Sequence, residues 1–150
     1  MATQPQPYPG ENASAEQLFL LAEEYRKAAD VLVNIGRRGK PLSRAPFRLT
    51  AIHAIELYLS AYLLIEGEKP CGIRALQHDL EARTKHPRAS SLSLSNRTTT
   101  HLITMHRGRE YLISRYGIDQ MHTVSPITRL QATLREVREK VGKRLGIACS

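Results

Sequence analysis

The sequence predicts an all-α protein, an up-and-down bundle of about five helices, and three observations predict it. Apolar residues recur at steps of three and four along most of the chain, no stretch alternates as a strand would, and Ser, Pro and Gly punctuate the periodic runs. At 150 residues the chain fits one domain with one core. That domain is expected over residues 15–146, after an N-terminal arm over 1–14 and before a short tail over 147–150.

The arm, MATQPQPYPGENAS, is rich in Pro and Gln, reads as flexible, and lacks the basic start and apolar centre of a secretory signal. The first helix opens at Ser14-Ala15-Glu16-Gln17, a capping-box pattern, and is expected to run to about Gly36. Leu18, Leu21, Ala22, Tyr25, Ala28, Ala29, Leu32 and Ile35 share its predicted core face; Glu23, Glu24, Arg26, Lys27 and Asp30 fall largely opposite. A basic loop over 37–41 leads to a second helix opening between Ser43 and Pro46, where Pro is tolerated. From Leu49 to Ile65 this helix is apolar nearly all round, which marks a central element, and Gly67 stops it. Its apolar run from Ala51 to Ile65 reads as too short for a membrane span and is interrupted by His53 and Glu56. A soluble, cytoplasmic protein with no membrane contact is therefore expected.

A third helix is expected from about Ile73 to Lys85, with Asp79 placed to cap a turn after a break and His86-Pro87 as the stop. The Ser-rich segment over 88–95 reads as a mobile link. A fourth helix is expected from Asn96 to Tyr116, weakened by Thr98, Thr99, Thr100 and the internal Gly108. The fifth has Ser125 as N-cap and Pro126 at its first position; Ile127, Leu130, Leu134, Val137, Val141 and Leu145 line one face before Gly146.

The balance of 22 Lys+Arg against 14 Asp+Glu gives a formal charge of +8 and favours an anionic partner, although solvated helix faces give the same balance. Two cysteines, Cys71 and Cys149, form neither a disulfide framework nor a metal motif and are expected as thiols. No cofactor is implied.

Chemistry concentrates at a few places. His53 and Glu56 stand three apart on the second helix, with Ser60 a turn further on, so their side chains are neighbours. A Glu in an apolar run needs a cation or donor from a facing helix, and His78, Arg115 and Tyr116 are the candidates. One His-x-x-Glu is half of a carboxylate-bridged metal site; without a second copy, no metal is expected. In His78-Asp79 the Asp suits a cap and the His packing or recognition. His106-Arg107-Gly108-Arg109, followed by Arg115 with Tyr111 and Tyr116 interleaved, makes Arg107 and Arg109 candidates for phosphate contact; the same residues also fit a solvated face.

The order His53-Ala54-Ile55-Glu56-Leu57-Tyr58-Leu59, then Gly67, then His78-Asp79-Leu80, with Arg115-Tyr116 later, resembles the HEPN domains over roughly Ala15 to Tyr116. The resemblance implies a HEPN-like bundle, a homodimer, and a place in an RNA- or nucleotide-linked stress or defence system such as a toxin–antitoxin pair. Active HEPN ribonucleases carry an Arg, a polar residue, and a His after four to six intervening residues, at a dimer interface. Here the matching place holds Arg97-Thr98-Thr99-Thr100-His101, with three between, a spacing that still keeps both side chains on one helical face. Arg48 and His53 meet the count, but on the second helix and about 140 degrees apart, so they should diverge.

The function expected is a non-catalytic HEPN-type module acting through protein partners and an anionic ligand. Two alternatives stand beside it: a metal-independent endoribonuclease using Arg97 and His101 across a dimer, and a structural partner subunit of a nucleotidyltransferase. Against catalysis stands the expectation that Arg97 and His101 occupy a fraying first turn.

Overall fold

The computed structural model describes residues 2–147, and among them regular structure is helical with no strand; Cys149 lies outside the described residues. The helices are α1 (Ala15–Leu32), α2 (Ala45–Ile65), α3 (Pro70–Ala75), α4 (Leu80–Lys85), α5 (Asn96–Arg107), α6 (Glu110–Tyr116) and α7 (Ile127–Arg144).

The capping box of α1 forms as its sequence suggests: Gln17 N donates to Ser14 Oγ at 3.1 Å, and Ser14 N donates to Gln17 Oε1 at 2.9 Å. The α-helix ends at Leu32 and tightens into a 3₁₀ turn over Val33–Ile35 before Gly36. Its buried stripe is narrower than expected, with Ala15, Phe19, Ala22 and Ala29 against the core while Leu21, Tyr25, Ala28 and Ile35 are exposed. Small residues let α1 lie close on α2, so only a thin strip is covered. Glu23, expected on the solvent side, instead faces α2 and α7. It accepts from Tyr58 Oη at 2.5 Å and from Arg138 Nε at 2.7 Å. Burial raises the Glu23 carboxyl's pKa, but the bonds from Arg138 and Tyr58 outweigh it and hold the group at about 2.

As expected, α2 is the centre of the molecule. It is buried on nearly every side, with Phe47, Ile55, Tyr58, Leu59, Tyr62 and Leu63 packed against α1, α7 and the shorter helices. Together with the 3₁₀ turn before it, Pro41–Ile65, a longer stretch than the Ala51–Ile65 run read from the sequence, is long and apolar enough by length and composition to cross a membrane; 67% of its apolar 18-residue window is buried, as in a core helix. Gly67, at φ 99°, stops it: Glu68 N donates to Leu63 O at 2.9 Å and Gly67 N to Leu64 O at 3.1 Å.

The expected third and fourth helices are each broken in two. Between α3 and α4 the chain reverses through Gln77 at φ 48°, and Asp79 caps α4 by accepting from Ala82 N at 2.8 Å. Between α5 and α6 the break follows Gly108, at Arg109 with φ 56°. The segment read as a mobile link instead forms a 3₁₀ turn over Pro87–Leu92, with Ala89 and Leu92 buried and Ser91 Oγ bonded to Tyr62 Oη. Ser125 does not cap α7; Pro126 occupies the N-cap position, one residue later than expected, because the Ser125 hydroxyl is engaged with Glu110. Leu130, Leu134, Val137 and Val141 of α7 close the core against α2, as their periodicity predicts.

Candidate functional site

Two polar constellations interrupt the apolar interior, one around Glu56 in the middle of α2 and one beside Arg48 near its start. The first surrounds Glu56, 6% exposed. His78, delivered by the break before α4, places Nδ1 3.2 Å from Glu56 Oε1 and 3.1 Å from Oε2. His53, one turn back on α2, has Nδ1 3.7 Å from Glu56 Oε2, an electrostatic contact beyond hydrogen-bonding distance. Burial pushes the Glu56 carboxyl up, but the two histidines and the positive charge of Arg83 outweigh it, and the group stays below the usual carboxylate range. The rings are fixed from behind: His53 meets Tyr25 edge-on at 4.5 Å, and His78 stacks on Tyr111 at 5.3 Å.

Arg83, 5% exposed, completes this cluster by donating to Ser60 Oγ and to Asp79 O, both at 3.3 Å. Burial pulls its pKa down, while Glu56 and Asp79 push it up. Arg83 is not among the site residues expected from the sequence, and its inward turn is set by packing against α2. Asp79 stays at the margin, its carboxylate shared between the cap and His106 Nε2 at 3.3 Å. Arg115 and Tyr116, proposed as partners of Glu56, are exposed, Tyr116 at 76%, because the break at Gly108 and Arg109 redirects α6.

The second constellation surrounds His101 on α5, also 6% exposed. Its Nδ1 lies 2.6 Å from Thr133 Oγ1 on α7, and its Nε2 is buried without a protein partner. Burial lowers its pKa to about 4, with Arg129 of α7 and Arg48 of α2 pushing the same way, so the ring is neutral at pH 7. Both arginines also carry a buried Nε with no partner. Arg48 Nη1 donates to Ser125 O at 2.6 Å, while Glu110 accepts from Ser125 N at 2.7 Å and from Ser125 Oγ at 3.0 Å. The 123–126 segment is thereby tied to α2 and α6.

Arg97 and His101 share one wall of a cavity of about 660 Å³ with Thr100, Thr104, Arg129 and Glu110. Arg97 is exposed and has no ion pair among the described residues. The first turn of α5, expected to fray, is clamped to α7: Glu136 accepts from Ser95 N at 2.6 Å, Ser95 Oγ at 2.7 Å and Thr98 Oγ1 at 2.9 Å. Burial raises the Glu136 carboxyl's pKa, but those donors and Lys140 outweigh it and hold the group at about 2.

The basic stripe is divided. Arg107 is engaged by Glu81 through Nε at 3.1 Å and Nη2 at 2.7 Å, and Arg107 and Lys85 hold the Glu81 carboxyl at about 2. Arg109 and Arg115 are exposed. Arg48 and His53 diverge as their spacing requires, one toward Ser125 and the other toward Tyr25. Among the described residues no three His, Cys, Asp or Glu side chains form a group able to hold a metal ion. No family model, no curated protein and no solved structure matches the chain.

Proposed function

We propose that the chain is a HEPN-like up-and-down helical module that binds a phosphate-bearing anion, RNA or nucleotide, in the cavity beside His101. It acts without catalysis of its own, as a homodimer within a stress or defence system, and a nucleotidyltransferase is the partner class the resemblance suggests. The observation that carries the reading is a concentration of unpaired positive charge. Arg97 and Arg129 line the cavity with no carboxylate partner among the described residues, and Arg48 stands behind them. Glu110, the one acid among the described residues lining the cavity, accepts from Ser125 and offsets Arg48, which leaves Arg97 and Arg129 without a carboxylate. A phosphate would give these guanidinium groups and His101 Nε2 the acceptors they lack.

The low pKa of His101 favours binding over catalysis. A side chain that titrates near 4 has no proton to give at neutral pH and is a weak base there, whereas efficient proton transfer wants a pKa near the working pH. Filter binding of a short single-stranded RNA tests the reading: Arg129→Gln should weaken it by about tenfold. Unchanged affinity would remove the cavity from consideration.

One observation favours the ribonuclease as a second reading. The Glu136 clamp preorganises the turn that carries Arg97 and His101, which removes the reason to discount the pair. Catalysis as a base requires Nδ1–H to donate to Thr133, leaving a lone pair on Nε2, whereas anion binding requires the opposite tautomer. Nitrogen chemical shifts of His101 separate the two. Metal-independent cleavage of an RNA pool, lost in both Arg97→Ala and His101→Ala with the fold intact, would put the ribonuclease first.

A further inference from the structure

A second cavity, of about 410 Å³, lies at the other end of the molecule, between α1, α2 and α3, and falls in the size range of small-molecule sites. Its wall is mostly apolar, with Leu18, Leu57, Leu64 and Ile73 prominent; its polar lining comprises Arg83, Ser60, His78 and Gln77, with Arg74 and Glu11 at the arm. The N-terminal arm forms its outer side: Tyr8 lies beneath the Arg74 guanidinium, 4.6 Å from ring centre to Cζ, and its N–H donates to Glu11 Oε2 at 3.3 Å.

Arg83 gives this cavity its chemistry. It is 95% buried by its 5% exposure, and it spends Nε on a hydroxyl and Nη1 on a carbonyl, so Nη2 has no protein acceptor. The nearby carboxylate of Glu56 is already engaged by His78 and makes no direct bond to Arg83. Arg83 therefore lines this cavity with one guanidinium nitrogen still able to donate to a ligand, its charge offset only at a distance by Glu56 and Asp79. The geometry points to a binding site for a small amphipathic carboxylate, its head on Arg83 and its apolar body against Leu57, Leu64 and Ile73 beneath the arm. This site is separate from the cavity at His101 and does not depend on the function proposed for it.

Calorimetric titration of the full chain with sodium octanoate, octanol and octylamine tests the assignment. Octanoate should bind most tightly, octanol about tenfold more weakly for want of the charge-assisted bond, and octylamine weakest. Arg83→Gln should erase the preference for octanoate over octanol. Because that variant removes a buried charge beside Glu56, Ile73→Trp, which fills the cavity from a half-buried position, provides the independent arm and should abolish octanoate binding with the helical circular dichroism unchanged. Equal binding of octanoate and octanol, or preference for the amine, would overturn the assignment. So would octanoate binding that survives Ile73→Trp and disappears in Arg129→Gln, which would place the acid in the cation-rich cavity instead.

Discussion

Glu56 and His101 are equally buried, yet one sits in an answered environment and the other in an open one. Around Glu56 the charges are complementary, one carboxylate against a bonded His78, a nearby His53 and the positive charge of Arg83, although His53 Nδ1 is itself buried without a hydrogen-bond partner. Around His101 the charges that shift the imidazole are Arg48 and Arg129, both of the sign that keeps it neutral, Glu110 offsets Arg48, and three buried nitrogens have no hydrogen-bond partner among the described residues. Burial alone therefore does not distinguish structural polar groups from binding ones; the balance of charge and the unsatisfied donors do.

The contrast breaks first at Glu56. Glu56→Ala leaves Arg83 without its compensating charge and should destabilise the fold by about 2 to 4 kcal/mol in urea unfolding. His53→Ala should cost less, because its 3.7 Å contact is longer than the two bonds from His78. A loss under about half a kcal/mol for Glu56→Ala would make the carboxylate dispensable and the two sites alike.

At His101 the test is pH. A histidine whose folded pKa, about 4, lies below its ordinary 6.5 takes up protons more readily when unfolded, so it contributes stability that is complete above pH 6.5 and is lost as pH falls toward 4. The amount is on the order of 2 kcal/mol after allowing for screening through the open cavity. Glu23 and Glu136, both held at about 2, act in a separate and lower window, their contribution fading as pH falls from 4.5 toward 2. His101→Gln should flatten the upper window alone. A slope that persists there in the variant would assign it to another histidine.

The same contrast explains what the sequence could show. The long periodic elements α1, α2 and α7 were legible, because capping residues, helix-stop glycines and continuous apolar faces are local signals. That Glu56 needs a partner was legible, since a Glu in an apolar helix demands one, but His78 was one of three candidates and the other two, Arg115 and Tyr116, are exposed. The breaks themselves were harder: Gln77 and Arg109 adopt positive φ without being Gly, and Gly108 stands one residue before the position that turns. Arg129, Thr133 and Glu110 left no trace as site residues, because their meeting with His101 depends on how α5, α6 and α7 pack. The stripe of α1 was read too wide for a related reason: apolar spacing gives a face, while the neighbour decides how much of it is covered.

A smaller effect probes the clamp on α5. Ser95 accepts from Thr98 N at 3.3 Å and donates to Glu136, so Ser95→Ala removes both the cap and one arm of the clamp. A loss of about 1 kcal/mol is expected, the usual worth of an N-cap, together with faster amide exchange over the first turn. Faster exchange with RNA affinity unchanged would show that anion binding does not need Arg97 held in place.

The finest discrimination compares two arginines on the same helix. Arg97 at the start of α5 has no carboxylate partner among the described residues, while Arg107 at its end is engaged by Glu81 through two bonds. If phosphate is bound at the His101 cavity, Arg97→Gln should reduce the steepness of log affinity against log salt by about 0.7, the release expected for one phosphate contact on a single strand. Arg107→Gln should leave that slope unchanged, because a guanidinium already committed to a carboxylate gains little from a phosphate and would have to give up Glu81 to reach it. Equal reductions for both would mean that RNA contacts the whole basic face and that the cavity confers no preference. A reduction for Arg107 alone would move the anion site to the far end of α5, away from His101.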